Sequence, residues 1–287
     1  MAVITHILFP VDFSPSCIAM GPYVKRAAAL MSARVSLMHV FNPASYSGTE
    51  EYLRGPVEIA EEHREIARKR LDAFLANEFP VAQFPRILAA GDPAQQIARV
   101  ARHGFDLIMM PTHAGAFRRM LLGSTTAKVL DSADCPVATS LHAETVAPRP
   151  MEHREWLCAI GLSDDSPRVL NYAHEASAEA SAHLSILHAI ESTDRGLPVQ
   201  LDLEEQLQSA ERRQARERID ALQREVGSRA RVRITVGPVK EALLAAIKHY
   251  DADAMIIGRS PRPGFQGRLR DLTYAIVRDS PVPVISV

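Results

Sequence analysis

A short acidic segment near the start of the chain has residue types that suit a phosphorylated ligand. Pro10, Val11 and Asp12 follow an apolar run, and a carboxylate there can accept hydrogen bonds from a ribose hydroxyl or an adenine amine. Asp12 also stands just before Ser14 and Pro15, a pair typical of a helix start, so it equally suits the cap of that helix. The sequence leaves both roles open.

A second segment, residues 111–125, reads PTHAGAFRRMLLGST and precedes a predicted helix. Gly123 permits close backbone approach, and Ser124 and Thr125 then offer N–H groups at a helix N-terminus, which favours an anion. Two arginines in the same loop could meet phosphate oxygens. An ordinary helix start after a solvated loop accounts for the same residues, so this alternative also stays open.

His113 lies in the same loop. Its imidazole could contact a phosphate or a metal, or be an ordinary polar loop residue. No second histidine stands at metal-ligand spacing to it, so no metal site is predicted. The sequence lacks the common nucleophile-elbow, zinc-protease, P-loop and dithiol motifs, so no catalytic residue is assigned. Cys17, just inside a helix that starts with proline, stands where a thiol pKa can be lowered.

The composition excludes several classes of protein. Of 287 residues, 47% are hydrophobic and 23% are charged, and the net charge is −1. This balance argues against a nucleic-acid or membrane-surface binder, whose electrostatic footprint needs a basic excess. Three cysteines are too few for a disulfide framework. No apolar run approaches the length of a membrane span, so we expect a cytoplasmic protein.

The chain contains two copies of one unit. Asp106 and Asp253 precede matching apolar runs, Pro136 and Pro283 precede matching final runs, and each pair is 147 residues apart. The stretch 142–154 contains two prolines and no apolar run, which is typical of a linker. We therefore predict one domain at residues 1–142 and a second at residues 155–287.

Each unit alternates short apolar runs with helical patterns. The runs in the first half are HILFPV, RVSLMHV, PRILAA, DLIMM and CPVATS, and such continuous runs are typical of strands buried on both faces of a parallel sheet. Helices are predicted at Ser14–Ser32, Glu58–Phe79, Asp92–His103 and Gly123–Ser132. The alternation predicts an α/β fold, with an open five-stranded parallel sheet and helices on both faces in each domain. Such sheets bind ligands at the carboxyl ends of their strands.

Together these segments resemble the universal stress protein family. The resemblance is carried by ILFPVDFS, an aliphatic run ending in HV at 39–40, GDP at 91–93, DLIMMPTH, LLGSTTAKVL and DCPV, and it recurs more loosely in the second half. It implies two tandem Rossmann-like domains, similar to adenine-nucleotide α-hydrolases, and a role in stress response. It also implies ATP, with Mg²⁺, as the ligand. The residues that the resemblance assigns to this ligand are Pro10, Asp12 and Val40 beside ribose and adenine, and His113, Ala114, Gly123, Ser124 and Thr125 around the phosphates.

The phosphate loop departs from the family pattern Gly-x2-Gly-x9-Gly-Ser/Thr. Pro111 and Ala114 stand at the first two glycine positions, and the loop is one residue short. Proline removes a backbone donor and alanine adds a Cβ, so the cradle of N–H groups is weakened.

The second half departs further. Pro261 stands at the second glycine, the 147-residue offset puts Arg270 and Asp271 where the first half has Gly-Ser, and the counterpart of Asp12 falls on or near Leu162. An aspartate at a helix N-terminus caps the helix and repels phosphate. The second domain is therefore predicted not to bind ATP in the family's manner.

Three functions stay open, and the third of them is binding of a small apolar or other non-nucleotide ligand in the eroded cleft of the second unit. In the first, domain 1 binds ATP as a sensor or regulatory module, with slow hydrolysis at most. In the second, both sites are vestigial and the duplicated fold is a stress-linked scaffold for an unknown protein partner. In the family, units commonly pair through the final strand, here CPVATS and VPVISV, which would be sticky edges if exposed. We predict that the two domains pair in this way as a pseudo-dimer, and leave open whether two chains form a homodimer.

Overall fold

The computed structural model describes residues 3–41, 56–112, 122–140, 155–191, 201–259 and 266–287. They belong to two compact units, one formed by Ile4–Pro150 and the other including Met151–Val287. Each unit is a Rossmann-like α/β domain with five parallel strands, as the sequence predicts. Among the described residues, no helix has the length and apolar character needed to cross a membrane.

The first unit has the strand order β3-β2-β1-β4-β5, and all of its described pairings are parallel. The order reverses direction between β1 and β4, which is where a doubly wound sheet forms a crevice. Its elements are β1 (His6–Pro10), α1 (Pro15–Met31), β2 (Arg34–Phe41), α2 (Pro56–Ala73), β3 (Arg86–Ala90), α3 (Pro93–Ala101), β4 (Leu107–Pro111), α4 (Ser124–Ser132) and β5 (Val137–Ser140).

The second unit repeats this order as β8-β7-β6-β9-β10, again with parallel pairings. Its elements are β6 (Glu155–Ala159), α5 (Ser166–Glu179), β7 (His183–Ile190), α6 (Leu201–Val226), β8 (Arg231–Val236), α7 (Val239–His249), β9 (Ala254–Ile257), α8 (Gln266–Asp279) and β10 (Val284–Ser286).

The core of each unit is centred on its middle strands. In β1, Ile7, Leu8 and Phe9 are fully buried, and in β6 the same is true of Leu157 and Cys158. These residues are buried on both sides of the strand, which explains why their sequence shows no alternation of apolar and polar residues.

Each unit contains an equivalent hydrogen bond that aligns two strands of its own sheet. Asp106 accepts the N–H of His6 with Oδ2 at 3.0 Å, and Asp253 accepts the N–H of Glu155 at 3.1 Å. These two aspartates, which the repeat pairs, therefore align the start of the central strand with its neighbour in both units.

Two helices begin as predicted, while the helix predicted at Glu58–Phe79 begins at Pro56 and ends early. Ser14 caps α1 and Asp92 caps α3, each followed by a first-turn proline. The helix predicted to run to Phe79 instead ends at Ala73. Leu75 has φ 49°, a left-handed conformation that no α-helix tolerates. The following turn buries Phe79 against Phe9, with ring centroids 6.2 Å apart, so burial of this ring outweighs helix propagation.

Candidate functional site

A cleft opens at the carboxyl ends of β1, β2 and β4, beside the N-terminal ends of α3 and α4. Its volume is about 170 Å³. The strand ends contribute Pro10, Val11, Asp12, Met38, His39, Val40, Met110 and Pro111, and the helices contribute Cys17, Pro93, Ile97, Gly123, Ser124, Thr125 and Thr126. The cleft therefore lies where the reversal of strand order predicts a ligand site.

Six of the eight residues that the resemblance assigns to a nucleotide line this one cleft. They are Pro10, Asp12, Val40, Gly123, Ser124 and Thr125. The other two, His113 and Ala114, lie outside the described residues. Binding of a ligand by these residues stays a prediction.

The Asp12 carboxylate stands exposed at the end of β1. Its Oδ1 atom accepts the N–H of Ser14 at 2.9 Å and the thiol of Cys17 at 3.1 Å. The helix cap itself is Ser14, whose Oγ accepts the N–H of Cys17 at 3.3 Å. Asp12 thus closes the turn before the helix with one oxygen, and Oδ2 makes no hydrogen bond within the described part of the chain.

The residue after Asp12, Phe13, packs against His39, which lines the cleft, but Phe13 is not itself part of the lining. Phe13 has φ 64°, and its ring packs on His39 at a centroid distance of 4.2 Å and on Phe74 at 5.3 Å. The Arg70 guanidinium covers the same ring at 4.4 Å, a cation–π contact. The unusual φ of Phe13 is therefore held by packing on three sides.

His39 ties the ends of β1 and β2 together. Its Nδ1 lies 2.8 Å from the Val11 carbonyl oxygen, which can only accept, so Nδ1 carries the proton. Burial lowers the pKa of His39, and the nearby positive charge of Arg70 lowers it further, while the bond to Val11 opposes both. The imidazole is therefore held in its neutral form.

The other end of the cleft is the start of α4. The Gly123 N–H donates to the Thr112 carbonyl at 2.9 Å, and a Cβ on Gly123 would lie 3.1 Å from that oxygen, closer than ordinary contact allows. Thr126 Oγ1 donates to the Pro111 carbonyl at 3.1 Å and secures the loop end to β4. The N-cap residue of α4 is Gly123, which has no side chain to accept a hydrogen bond, so at this position the first N–H groups of α4 lie at the edge of the cleft without a side-chain cap.

An ion pair joins the N-terminal regions of α3 and α4. Asp92 caps α3 by accepting the N–H of Gln95 with Oδ1 at 3.0 Å, and its Oδ2 lies 3.3 Å from Lys128 Nζ. The bond from Gln95 is the main cause of the lowered pKa of Asp92, and Lys128 lowers it further.

The thiol of Cys17 differs from the expectation drawn from its position. Burial raises its pKa to about 12, and the negative charge of Asp12 contributes in the same direction. The proline-initiated helix start does not offset these two effects. The thiol is therefore protonated and donates to Asp12, and it is no reactive nucleophile.

The second unit keeps the frame of this site and lacks its carboxylate. His188 Nδ1 lies 2.9 Å from the Ile160 carbonyl, as His39 does from Val11. Leu162 has φ 52° and so matches Phe13, not Asp12. The counterpart of Asp12 is Gly161, the residue next to Leu162, which makes the predicted position on or near Leu162 definite.

The offset between the units changes along the chain because their segments differ in length. It is 149 residues at the first strand, because β1 pairs His6 with Arg34 and β6 pairs Glu155 with His183. It is 146 residues at the third strands and 147 residues at the fourth and fifth strands. Pro261 and the side chains of Arg270 and Asp271 lie outside the described residues, so their predicted effects stay predictions.

The cleft also contains residues that the sequence did not single out as ligand contacts. Met38, Ile97 and Met110 form apolar lining, and Pro93 lies at the start of α3. The order of the strands could have identified them. Once β1, β2 and β4 are known to be neighbours, every residue at their carboxyl ends is a candidate ligand contact. Within the described ranges, no group of three or more His, Cys, Asp or Glu side chains could hold a metal ion.

Fold and cleft together define a tandem Rossmann-like protein with a crevice at the strand ends of its first unit. A model of the universal stress protein family matches residues 4–139 and 153–287. The chain therefore belongs to the universal stress protein family, and this membership supports a role in stress response.

Individual relatives agree with this assignment. The chain is 28% identical over 141 residues to universal stress protein A homolog 2 of Coxiella burnetii, across 47% of this chain and 94% of that protein. The crystal structure of a universal stress protein from Archaeoglobus fulgidus is similar over 98% of this chain and 95% of its own, with a TM-score of 0.64 and 22% identity. A protein of unknown function from Pseudomonas aeruginosa is similar over 99% of this chain and 92% of its own, with a TM-score of 0.63 and 17% identity. The two structural similarities concern the fold alone.

Proposed function

We propose that the first unit binds an adenine nucleotide, ATP with Mg²⁺, and acts as a sensor or regulatory module in a stress response rather than as a catalyst. The observation that carries the proposal is a single cleft that combines an apolar wall, an exposed carboxylate and an uncapped helix start. These three surfaces match the three parts of a nucleotide, which are its base, its ribose and its phosphates.

The apolar wall suits a planar base. Burial of the faces of a base against apolar side chains is favourable, and polar groups at the edge fix its orientation. The side chains that provide this wall are Met38, Val40, Ile97 and Met110.

The carboxylate and the helix start suit the ribose and the phosphates. Asp12 uses Oδ1 within the protein, which leaves Oδ2 to accept a ribose hydroxyl. The start of α4 favours negative charge through its N–H groups and dipole, and Gly123 lets a phosphate approach the backbone. Mg²⁺ is commonly held by the phosphates and water, so the site needs no cluster of acidic side chains for it.

The reactive side chains of the cleft support binding rather than catalysis. The Cys17 thiol is protonated and bonded to Asp12, so it is not available as an activated nucleophile. We expect the protein to act in the cytoplasm and to communicate its ligand state to a protein partner.

The test is isothermal titration calorimetry of Mg·ATP into nucleotide-free protein. We expect one ATP per chain, because the second unit has Gly161 in place of the Asp12 carboxylate. In the Asp12→Asn variant the amide oxygen still accepts the Ser14 N–H, as Oδ1 does in Asp12. The other oxygen, which is proposed to accept the ribose hydroxyl, is replaced by an amide nitrogen that cannot accept. Affinity should fall about 10-fold, the effect of removing one charged hydrogen bond.

The matched control is Asp164→Asn, an exposed aspartate just after the central strand of the second unit, and its affinity should equal that of the wild type. Two ATP per chain would contradict the assignment to the first unit. Absence of heat at millimolar ATP, with an unshifted melting temperature, would overturn nucleotide binding and favour the interaction scaffold.

A further inference from the structure

We propose that Lys128 is the cation that binds the phosphate end of the ligand, and that Asp92 pairs with it when no ligand is present. The inference rests on the proposed function, because it assigns a role in the same cleft to a residue that does not line it. Binding would exchange the carboxylate partner of Lys128 for a phosphate oxygen.

The described lining of the cleft lacks positive charge. It contains no lysine or arginine, and Asp12 contributes a negative charge. A helix N-terminus carries only about half an elementary charge, whereas a triphosphate carries several. Besides Mg²⁺, and besides Arg118 and Arg119, which lie outside the described residues, a cation that reaches in from just outside the lining adds the positive charge that a phosphate end at α4 favours.

Lys128 has the position to supply it. It lies four residues after Ser124 on α4, and residues with this spacing share one helix face. Side chains on a helix lean toward its N-terminus, so Lys128 leans toward the helix start that faces the cleft. Its partner Asp92 immediately precedes Pro93, which lines the cleft from α3.

The pair is suited to exchange. The side chain of Lys128 is 63% exposed and that of Asp92 is 35% exposed, and exposed pairs of this kind are weak. A phosphate oxygen offers Lys128 a more highly charged partner. Asp92 keeps the N–H of Gln95 after the exchange, so the cap of α3 survives.

The second unit provides an internal comparison. Gly91 and Gly237 occupy equivalent positions, because both have positive φ and donate to the last residue of β2 or β7. Pro238 therefore replaces Asp92, and at the 147-residue offset Ala275 replaces Lys128. Since Gly161 also replaces Asp12, all three charged groups are present in the first unit and absent from the equivalent positions of the second.

The experiment compares Mg·ATP with adenosine, measured by calorimetry and by displacement of ATP. Lys128→Met should weaken ATP binding about 10-fold, the effect of one charge-assisted bond, and leave adenosine binding unchanged. Lys128→Arg should restore ATP binding. Asp92→Asn should strengthen ATP binding several-fold, because it removes the competing carboxylate while asparagine still caps α3.

The matched control is Lys69→Met, since Lys69 is also an exposed lysine paired with a carboxylate, Glu65, but lies on α2. This variant should bind both ligands as the wild type does. If the pair only held α3 and α4 together, Lys128→Met and Asp92→Asn would both weaken binding, and they would do so for ATP and adenosine alike. That result, or unchanged ATP binding in Lys128→Met, would overturn the inference.

Inorganic tripolyphosphate separates this inference from the proposed function. If neither ATP nor adenosine binds the wild type, the proposed function fails. A tripolyphosphate affinity that falls in Lys128→Met and rises in Asp92→Asn would still support an anion site at Lys128. Absence of tripolyphosphate binding in that case would overturn the anion site as well.

Discussion

The histidines at residues 39 and 188 show how one side chain can stabilise a strand end in both units. Each donates from Nδ1 to the carbonyl of the residue after the central strand, at 2.8 Å for His39 and 2.9 Å for His188. The second unit keeps this bond although it lacks the Asp12 carboxylate. The histidine therefore belongs to the fold, and its contribution is a matter of stability.

The lowered pKa of His39 gives stability a definite dependence on pH. The unfolded chain takes up a proton near the ordinary histidine pKa of 6.5, and the folded protein resists protonation because the ring is buried. The unfolded state then binds more protons, so the free energy of unfolding falls as the pH drops below 6.5. We expect the urea midpoint to fall between about pH 7.5 and about pH 5.5, and to fall less in His39→Gln.

The control for this prediction is His103→Gln, because His103 is exposed. This variant should keep the full pH dependence of the wild type. An identical decrease in His39→Gln and in the wild type would contradict the assignment. Unfolding followed by circular dichroism measures all three proteins under the same conditions.

At the scale of elements, β1 and β6 are matched central strands. Leu8 and Leu157 occupy equivalent positions, since they pair with Ser36 and Ser185, and both are fully buried. Trp156, the single tryptophan of the chain, lies next to Leu157 and is also buried. Tryptophan fluorescence therefore reports on the second unit alone.

We predict that Leu157→Ala lowers the stability reported by tryptophan fluorescence by about 3 kcal/mol, through lost apolar burial and the cavity left behind. Leu8→Ala should cost a similar amount in circular dichroism and leave the fluorescence transition in place, because each unit has its own core. Equal shifts of the fluorescence transition in both variants would contradict separate unfolding of the units.

Much of the fold can be predicted from local signals. Ser-Pro and Asp-Pro identify the starts of α1 and α3 because the cap and the proline act within one turn. The early end of α2 cannot be predicted in this way, because it depends on burial of Phe79 against Phe9 of another element. The pair of Asp92 and Lys128 joins residues 36 apart in sequence, and only the packed helices bring them together.

At the scale of the whole molecule, the repeat itself was predictable, while its register was not. Matching aspartates and prolines identify two copies, but unequal segment lengths change the offset, so the counterpart of Asp12 could be predicted only as lying on or near Leu162, and the structure places it at Gly161. The positive φ of Phe13 and Leu162, with the two histidine bonds, fixes the equivalence.

The pairing of the two units through their final strands stays a prediction. If β5 and β10 cover each other within one chain, neither is left as an open edge for a second chain. We therefore expect light scattering after size exclusion to give a mass near 31.6 kDa. Twice that mass would contradict closure within the chain.

The retention of the histidine bond and the left-handed turn in a unit without the three charges has a consequence for engineering. The second unit, which lacks the three charges, is covalently attached to the first unit, which has the proposed site, so the two are always present at a one-to-one ratio. Gly161→Asp, Pro238→Asp and Ala275→Lys would transplant the three charges into a backbone that already has the turn and the histidine bond. Necessity and sufficiency of these groups can thus be studied in a single polypeptide, with one half serving as the reference for the other.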